Sequence, residues 1–399
     1  MTVARKMQMF AEKSSWIRKM FEEGARMKAE FGAENVFDFS LGNPDVPPPE
    51  KFGRILRQLA AEDVPGVHGY MPNGGYPHVR ESLAEHLSRD LEVELDAGDI
   101  LMTCGAAGAL NVVMKSLLDP GDEVIILAPF FVEYNFYVDN HGGVTRVVPT
   151  DREFNIDLQA IEEALNEKTK VVLINSPNNP TGQVYSRRSL QELGDLLDSA
   201  GEKFCTTIYL VSDEPYRKIV FDGCEVPSIM ATTTNSIVVS SYSKDLSLPG
   251  ERIGYLAVHP EIHEKRSLLD ALTLANRILG FVNAPALMQR VVGQLQDVSV
   301  DVAIYARRRK IFCEILDAAG FEYVKPKGAF YLFPRSPIDD LEFCSLLQEE
   351  KILAVPGRGF GAPGYIRLAF CVDEEVISRS GEAFKRAMQR AGSRDGATR

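Results

Sequence analysis

Ser240-Ser-Tyr-Ser-Lys244 and, five residues on, Pro249-Gly-Glu-Arg-Ile-Gly254 stand between two apolar runs at 237–240 and 253–258. Each run reads as a buried strand, so the lysine falls in a serine-rich turn just past a strand end. Burial disfavours an ammonium ion, as does a neighbouring cation, and a lysine so placed can act as a carbonyl-capturing amine. Taken alone, the motif is better explained by an ordinary surface lysine after a strand.

Outward from this point the chain alternates. Strand-like runs fall at 100–103, 123–127, 144–148, 170–175 and 208–212, with helix-like runs at 108–118, 158–165 and 189–199 between several of them. Val171-Val-Leu-Ile174 and Val124-Ile-Ile-Leu127 are apolar throughout, as strands buried on both faces should be. The expectation is an α/β domain over 46–284 with a mostly parallel seven-stranded sheet between helices. After Pro285 the pattern changes to a long helix over 287–318, with Arg307-Arg-Arg-Lys310 on a solvated face, and strand candidates at 328–333 and 365–370. This reads as a smaller α+β domain made from 1–45 and 285–399. The first 30 residues read as an amphipathic helix with Trp16, Met20 and Phe21 on one side, packed with that domain; the tail from about Gly392 reads as frayed.

Four further segments carry polar groups to strand ends. In Val211-Ser-Asp-Glu-Pro-Tyr216, Asp213 stands at the carboxyl end of a parallel strand, where open α/β sheets bind ligands. It could hold a protonated ring nitrogen and Tyr216 could donate to a ring oxygen; a carboxylate capping a turn is the plainer account. Asn175-Ser-Pro-Asn-Asn-Pro-Thr-Gly182 sets amides at the same edge, or is simply a turn. Cys104-Gly-Ala-Ala-Gly-Ala-Leu110 would let backbone N–H groups approach a phosphate at a helix N-terminus, though small residues also serve close packing. In Gly364-Tyr-Ile-Arg-Leu-Ala-Phe370 an arginine sits in an apolar strand, which is costly unless it meets an anion: a ligand carboxylate or an internal Asp or Glu.

Together the five segments resemble, in content and order, fold-type I pyridoxal-phosphate (PLP) enzymes of the aspartate aminotransferase (class I/II) family. The resemblance runs from Leu41-Gly-Asn-Pro-Asp45 to Arg367. It implies ping-pong transfer of an amino group from an L-amino acid to a 2-oxo acid, with Lys244 as the Schiff-base lysine. It implies Asp213 on the pyridine nitrogen, Tyr216 and Asn179 on the ring oxygen, Asn175 lining the site and Phe131 stacked on the ring. Backbone at Gly105, Ala106 and Ala107, with Ser241 and Arg252, would hold the phosphate. Arg367 and Asn179 would hold the substrate carboxylate, with a backbone contact at Gly42. Tyr70, in Gly69-Tyr-Met-Pro-Asn-Gly-Gly75, would reach the phosphate of a neighbouring subunit, which implies a homodimer. The phosphate cup departs from some members in lacking side-chain hydroxyls at Gly-Ala-Ala.

The rival on the same fold is a carbon–sulfur β-lyase. A non-enzymatic regulator lacks room for a DNA-binding module, and a nicotinamide dehydrogenase lacks a GxGxxG motif that opens a helix after a strand. Substrate identity is open: Arg358 could face a distal carboxylate, though a loop arginine more often makes a structural pair, and Tyr331 could form a wall or simply pack in the core.

Composition agrees with this class. The 399 residues carry a formal charge of −12 and a pI near 5.2, which argues against a nucleic-acid surface. Six widely spaced cysteines without a CxxC pair read as reduced thiols, and no metal site is expected. No signal-peptide pattern and no run of 18 apolar residues is found, so no membrane contact and a cytoplasmic location are expected.

Overall fold

A computed structural model describes residues 2–13 and 16–395. Two helices open the chain, α1 (Arg5–Lys13) and α2 (Trp16–Phe31), where the sequence suggests one. Met20 is buried as expected; the side chains of Trp16 and Phe21 lie outside the described residues. A two-residue strand, β1 (Phe37–Asp38), follows, then α3 (Glu50–Ala60) and α4 (Pro77–Leu91). The large sheet then alternates strands and helices: β2 (Ile100–Thr103), α5 (Gly105–Leu117), β3 (Glu123–Ala128), α6 (Glu133–Asn140), β4 (Val144–Pro149), α7 (Leu158–Ala164), β5 (Thr169–Asn175), α8 (Arg187–Phe204), β6 (Tyr209–Asp213), β7 (Ser236–Ser241) and β8 (Gly254–Val258). All seven strands lie within one residue of the runs read from the sequence.

The sheet order is β2-β8-β7-β6-β5-β3-β4. All pairs are parallel except those of β8, which runs antiparallel to both β7 and β2. Alternating side chains divide the strands between two cores. Ile125, Val172, Leu210 and Val238 pack with α3, α4 and α8, while Val124, Val171, Val211 and Val239 pack with α5 and α6. Each aliphatic side chain so buried contributes roughly 1.5–3 kcal/mol, and burial on both faces is why these strands read as unbroken apolar runs.

Beyond the sheet come α9 (Lys265–Ile278), α10 (Ala286–Val292) and α11 (Val302–Ala319). The expected helix over 287–318 is therefore two. Gly293 ends α10, and Asp301 starts α11 afresh by accepting the Ala303 N–H at 2.9 Å. Met288, Val291 and Leu295 belong to the core of the large sheet, whereas Val300, Tyr305 and Phe312 belong to a third core. That third core also takes in β9 (Tyr331–Leu332), α12 (Asp340–Glu349), β10 (Ile352–Leu353), β12 (Ile366–Ala369), α13 (Glu374–Arg379) and α14 (Gly381–Asp395), while Val355 of β11 (Val355–Pro356) packs in a smaller cluster with Met20, Phe154, Phe333 and Phe360. The chain is thus still helical past Gly392. β12 pairs antiparallel with β9 and β11, and β1 pairs parallel with β10, so the two ends of the chain meet.

The basic run on α11 is not a solvated face. Arg307 and Lys310 are exposed, but Arg308 and Arg309 point inward and are buried. Arg308 binds Asp45 with two hydrogen bonds of 2.6 and 2.9 Å, and Arg309 binds Asp222 at 2.7 Å.

Candidate active site

Three strand ends and one helix start converge on a cavity of about 260 Å³. β5 delivers Asn175, β6 delivers Asp213, the turn after β7 delivers Ser241 and Lys244, and α5 begins at Gly105. Of the residues singled out in the sequence, Gly42, Ala106, Ala107, Phe131 and Asn179 also line it, as do Tyr216, Arg252 and Arg367. Two stand outside that wall. Gly105 lies at the rim with φ +73, a conformation that favours glycine, and a Cβ there would meet the Arg252 guanidinium at 2.9 Å. Tyr70 is 93% exposed on this chain's surface and takes no part in the chain's own cavity.

Lys244 Nζ donates to the Gly42 carbonyl at 2.8 Å, and the Tyr216 and Phe330 rings stand 5.9 and 5.5 Å away. Burial brings its pKa down to about 8, and the charges of Arg367 and Arg252 push the same way against the buried Cys371 thiol. The side chain therefore gives up its proton more readily than an ordinary lysine. Gly42 must lack a side chain, since a Cβ would overlap the Tyr331 hydroxyl.

Asp213 is buried, and burial raises its carboxyl to about 7, with Glu214 adding to the rise. Tyr134 opposes this, donating to Oδ2 at 2.6 Å, while Oδ1 is buried without a partner. Asn175 ties the edge together: its Nδ2 donates to the Asp213 carbonyl at 2.7 Å and its Oδ1 accepts the Asn179 N–H at 2.6 Å. Tyr216 and Tyr331 share a hydroxyl–hydroxyl bond of 2.9 Å; burial raises both, Tyr331 to about 12.

Arg367 is 2% exposed, yet its guanidinium meets only neutral acceptors, Ser40 O at 2.6 Å and Asn179 Oδ1 at 3.2 Å. It is sandwiched between the Tyr331 and Phe360 rings at 4.7 and 4.8 Å. Among the described residues no carboxylate pairs with it. The internal salt bridge left open by the sequence is thereby excluded there, and the cation faces the cavity.

Arg358 has the opposite fate. It is held by Asp339 at 2.5 Å and by Asp340 at 2.6 Å and does not line the cavity. Tyr134 is a cavity residue that the sequence did not single out, and Tyr331, a possible wall or core residue in the sequence, both lines the cavity and is buried. Tyr134 is 79 positions from the carboxylate it binds, and no spacing rule links them. Tyr331 gives a weak signal, a hydroxyl within an otherwise apolar strand.

The chemistry of the cavity is that of an anion site containing one buried acid: Lys244, Arg252 and Arg367 are its cations and Asp213 its acid. Comparison with known proteins agrees. Residues 34–384 match the model of the family described as aminotransferase class I and II. A probable aspartate aminotransferase of Methanocaldococcus jannaschii is 32% identical over 92% of this chain and 95% of its own length. The aspartate aminotransferase of Thermotoga maritima is 33% identical, over 91% and 94%. The crystal structure of an aminotransferase from Eubacterium rectale superposes with a TM-score of 0.95 at 39% identity, covering 98% of this chain and 99% of that one. Aspartate aminotransferase from Thermus thermophilus with maleate gives 0.86 at 28% identity, over 97% and 100%. With fold, cavity and relatives in agreement over nearly the whole length, the chain belongs to the PLP-dependent aminotransferase class I and II family and is an aminotransferase.

Proposed function

We propose that this chain binds pyridoxal 5′-phosphate in the cavity around Lys244 and uses it to move an amino group from an L-amino acid to a 2-oxo acid. The observation that carries the reading is the pairing of a buried carboxylate oxygen without a partner, Asp213 Oδ1, with an amine of lowered pKa, Lys244 Nζ, in one cavity. The residues fit the cofactor. Asp213 Oδ1 would accept the pyridinium N–H, and the hydrogen bond from Tyr134 would keep that carboxylate oriented. Arg252, Ser241 and the first N–H groups of α5 would hold the phosphate, since the start of a helix favours an anion. Phe131 would cover one face of the ring. Tyr216, whose hydroxyl is steered by Tyr331, and Asn179 would bind the ring oxygen.

When bound, the cofactor supplies an electron sink for the pair left behind when the substrate Cα–H bond breaks. The protein's part is to hold and to move a proton. Arg367 would grip the α-carboxylate with its planar fork, with Asn179 fixing the guanidinium and the Gly42 backbone alongside. That grip orients the Cα–H bond and makes the reaction effectively unimolecular. Lys244 Nζ, with a pKa brought near neutrality, would take the proton and return it as general base and acid. The exposed Tyr70 supports a homodimer in which this ring reaches the phosphate of the second subunit. The test is a visible spectrum of the PLP-loaded protein with single amino acids and no oxo acid. A loss of the bound-cofactor band with stoichiometric 2-oxo acid release is expected. Continuous release of pyruvate and ammonia would favour a lyase instead.

A further inference from the structure

We propose that Glu133 reads the substrate side chain, favouring amino acids that bring a hydrogen-bond donor, an amide or ammonium, and disfavouring dicarboxylates. The inference rests on the reading that Arg367 holds the α-carboxylate. That assignment uses one of the three cations lining the cavity; Lys244 and Arg252 serve the amine chemistry and the phosphate. Among the described residues no fourth cation lines the cavity to receive a distal carboxylate. The nearest loop cation in sequence, Arg358, is held by Asp339 and Asp340.

What stands beside the cavity instead is an acid. Glu133 is the first residue of α6, two positions after the cavity residue Phe131. Tyr134 and Tyr137 of the same helix line the cavity, and Glu133 shares the Tyr137 face four residues away. Its Oε2 is buried and has no hydrogen-bond partner. Its charge acts on Arg367, Tyr137 and Tyr331, three residues of the cavity wall. Burial raises its carboxyl, against the opposing pull of its own backbone N–H and of the Arg367 charge, and leaves Oε2 without a donor. A substrate ammonium or amide N–H would supply that donor. A second carboxylate would face repulsion or leave two acids unsatisfied.

Two measurements on the PLP-loaded full chain test this. First, rates of cofactor-band loss are compared within isosteric pairs, L-glutamine against L-glutamate and L-asparagine against L-aspartate. The amides should react at least about tenfold faster, and Glu133→Gln should shrink that ratio at least about fivefold. Because each ratio is read within one preparation, loss of folded protein in the variant cancels. Second, binding of the unreactive pair succinamate and succinate is measured by calorimetry, independently of turnover. Wild type should prefer succinamate, and Glu133→Gln should level the two. Dicarboxylates that outrun or outbind their amides in the wild type, as a cation lent by a second subunit would cause, overturn the proposal. So does a ratio unmoved by Glu133→Gln. If no amino acid, L-alanine included, alters the cofactor band, the broader functional reading has failed and takes this inference with it; if L-alanine reacts and the ratios fail, the Glu133 inference alone is wrong.

Discussion

Arg367 and Arg308 are almost equally buried, 2% and 7% exposed, and their surroundings are opposite. Arg308, on α11, meets Asp45 with two hydrogen bonds, and its neighbour Arg309 meets Asp222. Arg367, on β12, meets a carbonyl and an amide and pairs with no carboxylate among the described residues. A spare buried Nε does not separate the two, because all three arginines have one. The anion does. A buried cation that finds its counter-charge within the chain fastens two segments together, whereas one left without it waits for a ligand.

The largest effect should come from the amine at the centre of the unpaired region. Lys244→Ala should slow the half-reaction with any amino donor by roughly 10²–10⁴-fold or more, measured by single-turnover spectra. Retained activity would break the assignment of that region to chemistry. Arg367→Met should come next, lowering kcat/KM by an amount equivalent to about 2–5 kcal/mol while thermal melting changes little. Arg308→Met should invert that pattern. Asp45 is partly exposed, so a loss of only about 1–2 kcal/mol in unfolding free energy is expected, with a smaller loss of kcat/KM than Arg367→Met causes. If both variants lost stability and activity alike, the comparison would collapse.

A separate effect concerns pH. In the cofactor-free protein the Asp213 carboxyl is pushed up to about 7 from an ordinary value of 3.8. The folded state therefore keeps a proton that the unfolded chain releases. This contribution to stability is complete below about pH 4 and is lost as pH rises through 7. Asp213→Asn should flatten that fall, seen as a smaller drop in melting temperature between pH 5 and pH 8 than wild type shows. An unchanged slope would mean that Asp213 is already ionised in the folded protein.

Much of this was legible in the sequence for a physical reason. A strand buried on both faces must be apolar along its length, so β5 as Thr169–Asn175 and its neighbours declared themselves, and the polar residues at their ends marked the cavity. Direction was not legible: the run that forms β8 looks the same whether it lies parallel or antiparallel. Nor was the inward turn of Arg308 and Arg309, because their partners Asp45 and Asp222 are remote in sequence and a run of four basic residues looks solvated by itself. The break between α10 and α11 had local signals in Gly293 and Asp301 that a long apolar periodicity outweighed. Glu133 carried no signal, since its meaning depends on which cations are absent nearby.

The closure of the site by both ends of the chain has a consequence for biosynthesis. Arg367 binds the carbonyl of Ser40, 327 positions earlier, and β1 is paired with β10. At roughly 5–20 residues per second, the segment that carries Ser40 and Gly42 leaves the ribosome roughly 15–60 s before its partners do. The nascent chain can assemble the large sheet in that interval, but the pairing of Arg367 with Ser40 forms later. A chain cut short before β12 would carry Lys244 without Arg367, so the guanidinium proposed to grip the substrate is absent until β12 has been made.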